Sequence, residues 1–297
     1  MSPAGEPAHM DERAALGRLA GTLPEAGDDA AVVDGLALTT DMLHDRTDFP
    51  AGTTRYTAGW RAVGASLSDL AAMGAEAVAA VAVYGAPAFD WTEIAAFVAG
   101  AREVCELTGG AYVGGDLDGH DEFTVATTAL GRAPDPVRRS GASPGEAVCV
   151  TGTLGRSGAA LTLFEDGEVE RANDLFRFEP RVAAGQALAT RATAMMDSSD
   201  GLARSLHQLA EASGCGFDIE TPLPVDSVVE EVTTDGEERL ELGAFFGEDF
   251  ELVCTLPTAE VAAAREALST SLTRVGTVTE SGVTLGDKAL PDRGYTH

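Results

Sequence analysis

Carboxylates recur along the chain in short segments rich in Gly, Ser and Thr, a setting suited to cation and phosphate chemistry. They are Gly27-Asp28-Asp29, Thr39-Thr40-Asp41, Ser68-Asp69, Gly114-Gly115-Asp116 and Asp197-Ser198-Ser199-Asp200-Gly201. Hard divalent cations prefer oxygen ligands, and Mg2+ uses a few carboxylates together with water and phosphate oxygens. Each segment alone also has an ordinary reading, because Asp and Ser are frequent in turns and at helix starts. Geometry favours a shared site. Asp34-Gly35, set between two apolar runs, predicts a two-residue hairpin turn. Val33 then faces Leu36, and counting outward sets Asp29 opposite Thr40 and Asp28 opposite Asp41. Facing carboxylates destabilise a strand pair unless something cationic lies between them. Asp28, Asp29 and Asp41, with the hydroxyls of Thr39 and Thr40 beside them, therefore form a candidate cation site.

Asp69 interrupts a long run of small and apolar residues. Ser68 could cap a helix with Asp69 in its first turn, but Trp60, Val63, Leu67, Leu70 and Gly74 keep helical spacing straight through it. Asp69 is then mid-helix beside Ala62, Ser66 and Met73, with no Lys or Arg a turn away on that face. A partly buried carboxylate needs a partner. Gly114-Gly115-Asp116 follows the apolar Ala111-Tyr112-Val113 as a strand-end loop where backbone can approach a phosphate. Asp197-Ser198-Ser199-Asp200-Gly201 joins a strand to a helix, either as a simple cap or as a site for an anion or cation-bridged phosphate. The glycine-rich Gly152-Thr153-Leu154-Gly155-Arg156-Ser157-Gly158 lacks the Gly-Lys-Ser/Thr ending of a P-loop, and the five histidines form no ligand pair.

Strands are expected at Ala30 to Val33, Leu36 to Thr40, Val78 to Tyr84, Ala111 to Val113 and Phe123 to Leu130, with helices at Thr57 to Gly74 and Trp91 to Thr108. The Pro-, Gly- and Ser-rich stretch from Ala133 to Glu146 is the best domain boundary. Beyond it, strands are expected at Ala147 to Thr151, Ala192 to Met196, Phe217 to Glu220, Glu251 to Thr255, Arg274 to Val278 and Val283 to Leu285. Helices are expected at Ala159 to Glu165, Arg181 to Thr190, Ser199 to Ser213 and Ala259 to Leu268. The class is α/β with α+β character, in two domains of similar size, 1–137 and 138–297.

The charge balance narrows the partners. Forty-eight acidic residues against 20 basic ones give a formal charge of -28, and Lys288 is the single lysine. Such a surface repels nucleic acid and anionic membranes, and its scattered acids suggest adaptation to high salt, where self-repulsion is screened. Cys105, Cys149, Cys215 and Cys254 form no C-x-x-C pair, so free buried thiols in a reducing compartment are expected. The first residues carry no signal pattern and no apolar segment reaches membrane-spanning length, so the chain is expected to be soluble and cytoplasmic.

Taken together, the motifs resemble thiamine-monophosphate kinases, of the superfamily that includes aminoimidazole ribonucleotide synthetase. The matching segments are Gly27 to Val33, Thr39 to Asp41, Ser68 to Ala75, Gly114 to Asp116, Arg139 to Glu146, Val150 to Gly155, Ser199 to Leu202, Gly247 to Leu252 and Gly294-Tyr295. They keep the family's order across nearly the whole chain. The resemblance implies Mg2+ ligands at Asp29, Thr40, Asp41, Asp69, Asp116, Asp197 and Asp200, to which the hairpin count adds Thr39. It implies ATP contacts at Gly115, Asp116, Arg139 and Ser199, and contacts to thiamine monophosphate at Asp48, Glu248 and Tyr295. It also implies an α/β N-terminal domain that dimerises through its strands, an α+β C-terminal domain, and ATP in the cleft between them. The chain departs from the family after Asp116, where Leu117 to Glu122 replaces small hydroxyl residues, at Ser198, where an apolar residue is usual, and at Asp48, where His is common. The expected activity is ATP-dependent phosphorylation of thiamine monophosphate. The alternatives are another ATP-using member of the superfamily, such as an aminoimidazole ribonucleotide synthetase-like ligase, or a non-catalytic cation or nucleotide binder. A selenophosphate synthetase-like enzyme is disfavoured because no Cys precedes Cys105.

Overall fold

The computed structural model describes residues 15, 18–19, 21–23 and 25–295; most of the N-terminal stretch read for a signal pattern lies outside them. The first domain is a five-stranded sheet in the order β1 (Ala31–Val33), β2 (Leu36–His44), β5 (Thr124–Arg132), β3 (Glu76–Ala86), β4 (Ala111–Gly119). Asp34 and Gly35 both take positive φ, 53° and 75°, as a tight hairpin turn demands. The predicted register holds, from Val33 opposite Leu36 to Ala31 opposite Leu38. Pairing stops there, so Asp28 and Asp29 lie beyond the ladder. β2 runs on to His44 because β5 pairs with its whole length.

Helices α1 (Arg55–Ala72) and α2 (Trp91–Leu107) cover one face of this sheet. The hydroxyl of Thr54 accepts from the Thr57 amide and starts α1 well before Ser68, which leaves Asp69 inside the helix. The two helices approach closely at Gly59 and Gly100. A Cβ on Gly59 would lie 2.1 Å from the Phe97 carbonyl oxygen, and one on Gly100 would lie 2.0 Å from that of Tyr56.

The second domain is a seven-stranded mixed sheet ordered β12 (Lys288–Ala289), β11 (Val283–Leu285), β8 (Gly216–Ile219), β10 (Leu272–Thr279), β6 (Ala147–Thr151), β9 (Leu252–Leu256), β7 (Ala194–Asp197). Its helices are α3 (Arg156–Glu165), α4 (Val169–Phe176), α5 (Val182–Leu188), α6 (Leu202–Ser213), α7 (Ser227–Val232), α8 (Gly236–Leu240) and α9 (Val261–Ala267), with a π-helical turn at Glu241–Phe246. One core joins the domains: Ala62, Leu67 and Leu70 of α1 belong to the same buried cluster as Leu188, Met195 and Leu252. α1 is therefore packed from both sides, and edge strand β7 ends against it.

Candidate active site

That junction gathers the acids. Asp29 after the first turn, Asp69 in α1 and Asp197 at the end of β7 each offer a carboxylate oxygen, all within 4.8 Å of one another. Small hydroxyl side chains hold them in place. Thr39 of β2 donates to Asp69, Ser68 donates to Asp197 at 2.6 Å, and Ser66 donates to Asp41 at 2.6 Å. Burial pushes the Asp69 carboxyl well above its usual range, and the charges of Asp41, Asp197 and Asp29 push it further. Burial and Asp29 do the same to Asp197, against the hydrogen bond from Ser68 and the charge of Arg139. Oxygen-only donors with this surplus of negative charge fit a hard divalent cation.

Arg139 supplies the nearest positive charge. Its Nε and one terminal nitrogen donate to the two carboxylate oxygens of Asp29 at 3.1 and 2.9 Å, a bidentate pair in which the Asp29 side chain is only 1% exposed. Burial opposes the Arg139 charge, but Asp29, with Asp197 and Asp69, holds its pKa above the ordinary value.

Other expected members lie elsewhere. Asp28 does not face Asp41: with β1 ended at Ala31, it accepts from the Arg138 side chain at 2.6 Å and from the Arg139 amide at 2.9 Å. The Thr40 hydroxyl is on the opposite face of β2 from Thr39 and Asp41, bonded to the Thr127 carbonyl at 2.7 Å, so it does not join the cluster. Asp116 is exposed on β4, three strands away from β2, and accepts from the Leu117 amide. β4 runs through this segment rather than ending at Val113, and Gly115 is needed there: its φ is +155° and a Cβ would meet the Ala82 carbonyl oxygen at 1.7 Å. Asp200 and Ser199 are half-buried in the turn after β7; Asp200 accepts from the Tyr295 amide at 3.0 Å and Ser199 from the Glu248 amide at 2.6 Å, both through their carbonyls.

A cavity of about 310 Å³ opens nearby, lined by Asp48, Phe164, Phe176, Phe246, Glu248 and Tyr295 among others. The three residues expected to contact the substrate thus share one pocket. Asp48 is held by the His44 amide and the Thr47 hydroxyl, and the Tyr295 hydroxyl donates to the Thr47 carbonyl at 3.1 Å. Phe246 and Tyr295 are 5.9 Å apart, and Phe164 meets Phe176 edge-on at 5.8 Å, which gives the pocket aromatic walls. Sequence reasoning missed Ser66 and Ser68 as supports, although their spacing from Asp69 was the available signal. It also missed Arg61, which is buried behind the pocket wall.

The family models named AIR synthase related protein, N-terminal domain, and AIR synthase related protein, C-terminal domain, match residues 27–133 and 143–288. The thiamine-monophosphate kinase of Halobacterium salinarum is 63% identical over 97% of this chain and 100% of its own length. The chain belongs to the thiamine-monophosphate kinase family. The family member from Methanospirillum hungatei is 40% identical, covering 91% of this chain and 92% of its own. Among solved structures, AaThiL complexed with AMPPCP and TMP superposes with a TM-score of 0.88 at 27% identity, each chain covered completely. A Thermus thermophilus structure, tt0281, gives 0.85 at 31% identity, covering 95% of this chain and 98% of that one. The expected two-domain fold and the kinase resemblance are both borne out.

Proposed function

We propose that this chain transfers the γ-phosphoryl group of ATP directly onto the phosphate of thiamine monophosphate, giving thiamine diphosphate and ADP. The observation that carries the reading is the convergence of Asp29, Asp69 and Asp197 from three elements beside the pocket of Asp48, Glu248 and Tyr295. We assign Asp29, Asp41, Asp69, Asp197 and Asp200 to Mg2+, with Thr39 as a supporting hydroxyl. Mg2+ bound there would offset the repulsion between two anionic reactants. The carboxylates and their Ser and Thr donors fix the positions at which the phosphates meet, and positioning with charge stabilisation is most of what phosphoryl transfer needs. The acceptor is already an ionised phosphate, so no side chain need act as base and none is assigned as nucleophile. The aromatic walls orient the cationic ring system, with Glu248, Asp48 and Tyr295 at its polar edges. Arg139 and Ser199 are assigned to ATP.

Gly115, Asp116 and the Thr40 hydroxyl belong in this reading to a homodimer. Leu38 and Met42 on β2, and Val81 and Val83 on β3, are 36–55% exposed on the sheet face that no helix covers, and Asp116 pairs with Val83 on that same face. An apolar face of this kind suits a second copy, and Asp116 would act across that interface. We place the domain boundary at 137/138 and the protein in the cytoplasm; no helix among the described residues is long and apolar enough to cross a membrane.

Incubation with ATP, Mg2+ and thiamine monophosphate in high salt tests the reading. Thiamine diphosphate is expected. ADP without it would favour another activity of the superfamily, and no ADP with any acceptor would favour a binder.

A further inference from the structure

One buried cation has no part in the chemistry above. Arg61, on the first half of α1, is 2% exposed, although the chain has 48 acidic residues against 20 basic ones and solvent-exposed pairing was available. Burying a guanidinium is costly unless its donors are satisfied in good geometry. Burial does lower the Arg61 pKa, and Glu248 is the main influence that restores it.

Three of the four hydrogen bonds of this side chain go to Phe176 and Glu248, in the wall of the substrate pocket. One terminal nitrogen donates to the Phe176 carbonyl at 2.6 Å and to the Ser157 hydroxyl at 3.3 Å. The other donates to the Glu248 carbonyl at 3.4 Å and to the Glu248 carboxylate. The guanidinium carbon lies 3.6 Å from the centre of the Phe176 ring. Phe176 and Glu248 both line the cavity, whereas Arg61 lies behind them.

The segment it braces needs external support. Glu248 and Phe250 both adopt left-handed backbone, with φ of 62° and 55°, which side-chain-bearing residues rarely take. Further ties hold the same segment: Ser157 donates to the Glu248 carbonyl at 2.6 Å, and Asp249 accepts from the Gly155 and Ser157 amides at 2.6 and 3.0 Å. Of these braces, Arg61 alone grips the Glu248 carboxylate, and it does so from the helix that carries Asp69. Eight residues separate the two, about 12 Å along the axis, so α1 fixes the pocket and the carboxylate cluster on one rigid element.

We infer that Arg61 is a positioning residue: it sets the Glu248 carboxylate and the Phe176 wall in the pocket, and so determines affinity for thiamine monophosphate without touching it. The inference rests on the proposed function. Lys retains the charge at this position but cannot reach Phe176, Ser157 and Glu248 together, because it lacks the planar fork.

Arg61→Gln and Arg61→Lys, each alone and with Glu248→Gln, test this. Arg61→Gln should raise KM for thiamine monophosphate about tenfold or more, as loss of a buried charged contact does, while KM for ATP stays within about twofold; Arg61→Lys should fall between. In the Glu248→Gln background, Arg61→Gln should add little to KM. Independent effects of the two substitutions, or equal loss toward both substrates, would overturn the role. Hydrogen exchange gives a reading free of activity: amides of residues 247–250 should exchange faster in the folded Arg61→Lys protein than in wild type. Unchanged exchange there would overturn the inference even if another substrate proved to be the true one. Wild type that makes no thiamine diphosphate, with faster exchange in the variant, would instead count against the substrate assignment alone.

Discussion

Asp69 shows how far a single residue can be read. Helical spacing places it inside α1, and the lack of a cation on its face points to an unsatisfied charge. Its partners Thr39, Asp29 and Asp197 come from three other segments, and Asp197 lies 128 residues on, where spacing along the chain carries no information. The cluster is built of mutually repelling acids, so removing one should relieve the metal-free protein. Asp69→Asn is expected to abolish turnover, yet to raise the metal-free melting temperature by a few degrees, about 2–4 °C per kcal/mol for a chain of this size. Calorimetry with and without Mg2+ checks this, and the stabilisation by Mg2+ should shrink in the variant. Asp249 makes a separate prediction. Burial pushes its carboxyl up to about 7, against the Ser157 and Gly155 amides that favour its charged form. The unfolded chain loses that proton near 3.8, so between about pH 4 and 7 the folded state holds more protons and stability falls as pH rises, levelling above 7. In Asp249→Asn the melting temperature should therefore fall less steeply with pH across that window.

Among the elements, those with strong local signals were legible. Asp34-Gly35 fixed the hairpin register, and the spacing of Leu67 and Leu70 identified α1. Pairing partners extended others beyond their local pattern: β2 continues through Asp41 to His44 because β5 supplies the ladder, and β4 continues through Gly114 and Gly115 because β3 does. Short polar elements were missed. α4, with three charged residues in Val-Glu-Arg-Ala-Asn-Asp-Leu-Phe, and the π-helical turn at Glu241–Phe246 depend on tertiary packing rather than on propensity. The close crossing of α1 and α2 is an element-level constraint with a direct test. Gly59→Ala puts a methyl where the Phe97 carbonyl sits and should destabilise the protein by about 1–3 kcal/mol, read as a lowered denaturation midpoint with an unchanged m-value.

At the scale of the whole molecule, α1 packs between two sheets to gather the carboxylates, and the proposed dimer would cover the exposed apolar face of the first sheet. Met42→Glu places a charge on that face, away from the carboxylate cluster. Sedimentation should show monomers for this variant and dimers for wild type, and the monomer should lose activity because Asp116 no longer reaches its place. With a formal charge of -28, wild-type stability should rise with salt as self-repulsion is screened, which melting curves across a salt series would record. In the proposed function the gathered carboxylates serve direct transfer between two phosphates. A single turnover with ATP labelled at the γ-phosphate, thiamine monophosphate and Mg2+ measures it most directly. Wild type should place the label on the terminal phosphate of thiamine diphosphate, and Asp69→Asn, though folded, should not. Full labelling by Asp69→Asn, or none by wild type, would contradict it.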